Sequence, residues 1–321
     1  MPATAQPVAG AAAWLDIATP TRDAAAMCRL FGMTGGRHAV RATVWLLEAP
    51  DSLARQSRRE PDGTGIGWFD DVGRPHVAKQ PLAAYEDEAF AREARELRST
   101  TFVAHIRYAT TGAVLPANTH PFEQRGRLFA HNGVVEDLER LERELGPDRA
   151  LVHGDTDSER LFALITRETE RHDGDPGAGI VAAARWVAAQ LPMFAINVIL
   201  AGPEDLWALR YPDVHELWVL ERAPGGQHGM RHFDAGSAAG RVRVRSGELA
   251  REPAVIVASE PMDEDAGWRQ LAPGELLHVA GDLRVTSAIV LDSAPAKQLT
   301  LADLQPRAAA AQSAPPGAAR P

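Results

Sequence analysis

Alternation of apolar and polar positions is clearest over residues 100–108, Thr-Thr-Phe-Val-Ala-His-Ile-Arg-Tyr. Phe102, Ala104, Ile106 and Tyr108 fall on one face, and Val103, His105 and Arg107 on the other, as the period of two in a strand requires. Arg29 to Met33 reads as a short strand ending at the turn signal Gly35-Gly36. Val40, Val44, Leu46 and Leu47 form a stripe of helical spacing. Asp51 to Arg59 is polar and compatible with helix. Glycines at 63, 65 and 67 predict a loop running into a strand, with a backbone that a neighbour can approach closely. Asp70 to Arg74 then predicts a hairpin turn, His76 to Gln80 its return strand, and Glu86 to Leu97 a charged amphipathic helix.

Farther along, Arg127 to His131 predicts a strand that stops at His131-Asn132-Gly133, followed by a helix over Val134 to Leu145. Gly154-Asp155-Thr156-Asp157-Ser158-Glu159 opens a helix to about His172, and Thr156 and Glu159 have capping-box spacing. Ala178 to Leu191 is a further helix. Strands are expected at Phe194–Leu200, Leu206–Tyr211, Glu216–Arg222, Ala254–Ser259, Glu275–Val279 and Leu283–Leu291. Between them, Gly225 to Arg251 is rich in Gly and Arg and reads as an elaborated loop with short strands. Strands first, helices in the middle and strands again predict an α+β layered domain, because a doubly wound sheet needs regular strand–helix alternation.

Composition narrows the function. The chain has 321 residues, 45% hydrophobic and 24% charged, with a net charge of −9. That balance argues against a nucleic-acid binder that works by neutralising phosphates and against an anionic membrane surface as partner. No apolar run is long enough to span a bilayer; the nearest, Phe194 to Ala201, is interrupted by Asn197. A single cysteine excludes an intrachain disulfide and fits a reducing, cytoplasmic compartment. Residues 1–27, rich in Ala, Pro and Thr, are expected to be a mis-started or removable extension. Residues 28–291 are expected to form the working domain. Residues 292–321, rich in Ala, Pro and Gln, are expected to be a disordered tail, since they carry little apolar surface to bury.

The single cysteine, Cys28, comes directly after an internal Met27. If translation begins at Met27 and that residue is removed, a thiol and a free α-amine share one carbon. The amine, with an ordinary pKa of about 7.7–8.0, can take the thiol proton, which makes a nucleophile-and-base unit. The plain alternative is a small buried hydrophobe.

Met27-Cys28-Arg29-Leu30-Phe31-Gly32 resembles the start of a class II glutamine amidotransferase, an N-terminal-nucleophile hydrolase. Five further segments resemble that family in its order: Asp62 to Trp68, His105 to Thr110, Asn118 to Phe122, His131-Asn132-Gly133 and Gly154 to Glu159. The likeness resumes at Trp268 to Glu275 and spans about Met27 to Leu291. It is strongest to short stand-alone members, including γ-glutamyl hydrolases of ergothioneine biosynthesis.

The resemblance implies a four-layer αββα sandwich and an enzyme that hydrolyses the side-chain amide of glutamine or a related γ-glutamyl compound. It implies Cys28 as nucleophile, and Asn132 and Gly133 as the oxyanion hole. Arg107 would clamp the substrate α-carboxylate and Asp157 would accept from its α-ammonium. Thr110 and His120 would support the pocket. No cofactor and no metal are implied. Any freed ammonia would go to a separate synthase, because the tail is too short to hold one. Tyr108 stands where many synthase-linked members have tryptophan, so lid behaviour does not transfer.

Each residue has a simpler role available. Arg107 could pair with a surface acid, Asn132-Gly133 could be only a turn, Asp157 could complement a helix dipole, and His120 and His131 could be satisfied core or loop histidines. Two other functions stay open: a metal-dependent hydrolase using His105, His120, His131, His153 and Asp155, and a non-catalytic or dormant module with Cys28 blocked by the preceding residues.

Overall fold

In the computed structural model, residues 28–58, 62–107, 113–224, 233–236, 243–246 and 253–312 are described. The expectations for residues 1–27 and for most of Gly225 to Arg251 lie outside them. The first strands are β1 (Arg29–Thr34), β2 (Gly63–Phe69), β3 (Pro75–Gln80), β4 (Thr101–Arg107), β5 (Phe122–Gln124) and β6 (Arg127–Val135). After them come β7 (Met193–Ala201), β8 (Leu206–Leu209), β9 (Trp218–Arg222), β10 (Phe233–Gly236) and β11 (Arg243–Ser246). The last are β12 (Ala254–Ala258), β13 (Arg269–Gln270), β14 (Glu275–Val279) and β15 (Val285–Ile289). The helices are α1 (Leu53–Gln56), α2 (Glu88–Glu96), α3 (Leu138–Leu145), α4 (Asp157–Arg171), α5 (Pro176–Gln190) and α6 (Pro306–Gln312).

Among the described residues, one sheet has the order β13-β9-β12-β1-β4-β2-β3 and a second β15-β14-β8-β7-β6-β5; β10 and β11 pair separately. The alternation read in β4 decides its packing. Phe102, Ala104 and Ile106 join α1 and α2 in an outer core, while Val103 faces Leu128, Ala130 and Ile199 of the second sheet. The second sheet covers its other side with α3, α4 and α5, through Leu141, Phe162 and Ile180 packed against Phe129 and Val198. The result is the four-layer αββα sandwich. The central strands β1, β4, β7, β8 and β12 are buried on both faces because both faces are covered.

Two local expectations are corrected. β6 does not stop at His131: it runs to Val135, with Asn132 opposite Asn197 and Gly133 opposite Ile196. Asn132-Gly133 is therefore strand, not turn. Gly133 has φ 153°, and a Cβ there would sit 1.8 Å from the Ala195 carbonyl oxygen, so glycine is the residue that lets β6 and β7 stay paired. The expected disordered tail is also corrected over residues 292–312. Gln298 bridges to Met193, and Leu304 and Ala308 pack on Val134, Phe194 and Ala195.

The glycine run proves to be strand β2 itself, starting at Gly63. Its glycines face the segment Thr119-His120-Pro121. A Cβ on Gly65 would lie 2.1 Å from the His120 carbonyl oxygen, and one on Gly67 would lie 3.0 Å from the Pro121 ring. Gly65→Ala is thus expected to destabilise the fold by at least about 2 kcal/mol through overpacking against backbone, measured by urea unfolding. Unchanged stability would show that the 119–121 segment does not sit against β2.

Candidate functional site

Cys28 immediately precedes β1 and is 8% exposed. The next two residues of the chain anchor it. Arg29 is buried and pairs with Glu260 at 2.8 Å, the Leu30 N–H donates to Ser259 Oγ at 2.9 Å, and the Ser259 N–H returns a bond to the Leu30 carbonyl. In the antiparallel register Arg29 lies opposite Ile106, so Cys28 stands level with Arg107 on β4. From the second sheet, Asn132 Nδ2 donates to the Cys28 carbonyl at 3.1 Å. That contact fixes the amide orientation, since a flipped group would set oxygen against oxygen. The amide nitrogen carries two hydrogens, so one can hold this carbonyl while the other serves a second acceptor.

Arg107 is buried at the end of β4. Burial pulls its guanidinium below the ordinary value; Cys28, Asp62 and Asp157 favour its charge, and Arg307 opposes it. Its Nη1 donates to the Ala113 carbonyl at 3.2 Å. Asn118 Nδ2 donates to that same carbonyl at 3.1 Å, and Asn118 Oδ1 accepts from the Asp155 N–H at 2.8 Å. Two segments far apart in sequence are thereby stapled, and the staple brings the start of α4 to the Arg107 end of the sandwich.

Asp157 is the first residue of α4. Its Oδ2 accepts from the Val135 N–H at 2.9 Å, and its Oδ1 lies 3.5 Å from Ser158 Oγ. Thr156 Oγ1 caps the Glu159 N–H at 3.2 Å, as the spacing predicted. Glu159, however, reaches back to the Gly154 N–H at 2.5 Å rather than to Thr156. This ties the whole 154–159 turn to the helix start.

His120 lies deeper between the sheets, its ring 4.2 Å from that of His105 and 4.6 Å from Phe122. Among the described residues, no ring nitrogen of His105 or His120 meets a partner in hydrogen-bond geometry. Burial drives His120 well below its ordinary value and His105 down to about 3, with the Arg107 charge adding to both. His131 points to the helical side, with Nδ1 2.9 Å from Ser158 Oγ and Nε2 3.3 Å from the Ala195 carbonyl. Among the described residues no three His, Cys, Asp or Glu side chains converge in metal-binding fashion, and no helix is long and apolar enough to cross a membrane.

Cys28, Arg107, Asn132, Gly133 and Asp157 thus gather at one end of the sandwich. His120 stands behind them, and Thr110 lies outside the described residues. Ser158 and Asn118 went unassigned from sequence. Their one signal was membership of the two motifs that the staple joins.

The family of class-II glutamine amidotransferases matches residues 27–301. The chain belongs to this family. A gamma-glutamyl-hercynylcysteine sulfoxide hydrolase of Mycobacterium tuberculosis is 30% identical over 263 residues, 79% of this chain and 93% of the relative. A glutamine aminotransferase class-II domain protein from Silicibacter pomeroyi shares the fold at a TM-score of 0.53 and 21% identity, covering 82% of this chain and 99% of that one. The glutamine phosphoribosylpyrophosphate amidotransferase of Bacillus subtilis shares it at a TM-score of 0.56 and 18% identity, over 83% of this chain and 50% of that one. The protein is an enzyme of the class-II glutamine amidotransferase family, and its relatives include a hydrolase.

The buried histidines set an acid limit on this class II member. A ring whose charged form is disfavoured in the fold takes its proton first in the unfolded chain. Stability is therefore full above about pH 6.5 and falls as pH drops toward the His105 value of about 3, with His120 acting in the same direction. Urea unfolding between pH 7 and 4 checks this. A flat profile would place both rings in contact with water or with a carboxylate.

Proposed function

We propose that the protein hydrolyses the side-chain amide of glutamine, or the amide of another γ-glutamyl compound, through a thioester on Cys28. One observation carries the reading: the Asn132 amide bonds the Cys28 carbonyl at 3.1 Å, which brings a hydrogen-bond donor of the second sheet to the residue that bears the single thiol of the chain. The match that begins at Met27 supports Cys28 as the N-terminal residue of the working form.

In that form the Cys28 α-amine takes the thiol proton, and sulfur attacks the δ-carbonyl carbon of the substrate. The oxygen that gains charge is held by the second Asn132 N–H and the Gly133 N–H. The tetrahedral centre collapses, the C–N bond breaks, and the amine leaves with the proton returned by the α-ammonium. Water then adds to the thioester, giving free glutamate and the thiol. Arg107 receives the α-carboxylate in bidentate fashion. Asp157, already held by the Val135 N–H, accepts from the α-ammonium. Thr110 and His120 support this pocket, His120 as a neutral ring. The name of the mycobacterial relative supports a γ-glutamyl metabolite as substrate, with plain hydrolysis as the outcome. Ammonia from glutamine itself would pass to water or to a separate synthase.

The dormant alternative makes the opposite prediction. With residues 1–27 attached, the Cys28 nitrogen is an amide and has no basic lone pair. Intact mass of protein expressed from its own gene, with and without a diazo-ketone analogue of glutamine, decides between them. The expected result is a mass starting at Cys28 plus one adduct, lost in Cys28→Ala. A mass that retains residues 1–27 with no adduct overturns the catalytic reading for this form. Asn132→Ala is expected to lower kcat by about 10²–10³ with the fold intact.

A further inference from the structure

Strand β6 holds the start of α4 at two points. The Val135 N–H donates to Asp157 Oδ2 at 2.9 Å, and His131 Nδ1 meets Ser158 Oγ at 2.9 Å. Asp157 and Ser158 are the first two residues of the helix. His131 and Val135 stand four residues apart on β6, so both face the helical side, and Gly133 between them shares that face. Asn132 takes the opposite face, toward Cys28. His131, Asp157 and Ser158 are all buried.

The hydrogen bonds assign the His131 ring. Nε2 lies 3.3 Å from the Ala195 carbonyl, which can only accept, so this nitrogen carries a proton. Burial lowers the ring's pKa, against the pull of Asp157, and the ring is neutral near pH 7. Nδ1 is then the acceptor, and the Ser158 hydroxyl donates to it. Ser158 Oγ also lies 3.5 Å from Asp157 Oδ1, but its single hydrogen goes to the nearer nitrogen. The ring reaches this place across Gly133: a Cβ there would lie 2.8 Å from His131 Nε2. The glycine read as an oxyanion donor is therefore also the gap through which β6 grips the helix.

We propose that His131 and Ser158 are positioning residues for the substrate head group: ring and hydroxyl lock the first turn of α4 onto β6 and so fix the Asp157 carboxylate relative to Asn132 and Gly133. This rests on the reading of Asp157 as acceptor of the α-ammonium. Of the two bonds from β6, the one from Val135 alone leaves the helix start a pivot, and the second removes that freedom. The amide and the α-ammonium belong to one substrate, so the groups that receive them must keep one spacing. A single strand meets that demand. It carries the donors for the amide oxygen, and through two bonds it holds the acceptor for the ammonium.

The test is calorimetric binding of L-glutamate to the full chain carrying Cys28→Ala, which removes any dependence on turnover. Adding Ser158→Ala is expected to weaken binding about five- to tenfold, the worth of one buried hydrogen bond. Ser158→Thr, which keeps the hydroxyl, is expected to bind within about twofold of the parent. With Asp157→Asn already present, Ser158→Ala is expected to add less than about twofold, because its effect runs through Asp157. A merely structural role for the pair would weaken binding by the same factor with and without Asp157→Asn, and that result overturns the proposal. A Ser158→Ala variant that binds normally overturns it too, as does a Ser158→Thr variant as weak as Ser158→Ala. Where Asp157→Asn abolishes binding, glutarate, which lacks the α-amine, replaces that background. Ser158→Ala is then expected to weaken L-glutamate and spare glutarate, and equal losses overturn the proposal. Asp157→Asn alone separates the two readings. If it weakens binding while Ser158→Ala does nothing, only the positioning role falls. If it leaves binding intact, the reading of Asp157 falls and this inference with it.

Discussion

The site depends on a crossing between two sheets that are built from distant parts of the chain. Asn132 on one sheet bonds the Cys28 carbonyl on the other. Neither strand could place that contact alone. β1 is held by β4 and β12, and β6 by β7, so the distance between Asn132 and Cys28 is set by how closely the apolar layer packs. Leu30 of β1 and Leu128 and Ala130 of β6 share that layer. Gly32 sits where a Cβ would press within 3.0 Å of Ile199 and Leu206. A larger layer would carry the two residues apart, because a close-packed interior transmits volume changes. The chemistry of the end is therefore a consequence of side-chain volume in the middle.

Much of the fold was legible because burial imposes periodicity. The face assignment in β4 came from alternation alone, and the glycines at 63, 65 and 67 announced a close neighbour before its identity was known. The misreadings share one physical origin. Asn-Gly is a turn pair by local preference, but the pairing of Asn132 with Asn197 and Gly133 with Ile196 outweighs that preference. The Ala- and Pro-rich end cannot form a core of its own, yet Leu304 and Ala308 borrow one from Val134, Phe194 and Ala195. Local composition carries no signal of a surface supplied by residues far away in sequence. For the candidate site, the segments were legible as resemblances, whereas the staple through Asn118 and Ala113 was not. A carbonyl shared by two donors leaves no trace in the identity of the residue that bears it.

The electrostatics of this end are organised by burial more than by the number of charges. Arg107 is buried, and His105 and His120 beside it are held neutral. Neutral rings suit that position, since two more cations near a buried guanidinium would repel it in a medium of low polarity. Lys79 obeys the same logic: its ammonium donates to the Thr119 carbonyl at 2.8 Å, and burial lowers its pKa to about 8. His105 and His120 are thus neutral between the sheets, whereas Lys79 at about 8 keeps most of its charge near pH 7 and spends it on the Thr119 carbonyl.

A buried guanidinium is costly unless an anion or several acceptors meet it. In the protein alone, the Ala113 carbonyl and the nearby acids offset that cost. On the proposed reading, an amino-acid head group replaces part of that arrangement with a carboxylate for Arg107 and an ammonium for Asp157, so both charges gain partners in one event. A ligand with only one of the two charges gains only one of the two contacts, which is a mismatch at the head group. Selectivity for γ-glutamyl compounds would then arise from the penalty for a mismatch at the head group, with little demand on what lies beyond the amide. This accounts for how one fold can serve glutamine and bulkier γ-glutamyl metabolites alike: the recognised portion is common to all of them, and the leaving group is left to the surroundings of the pocket.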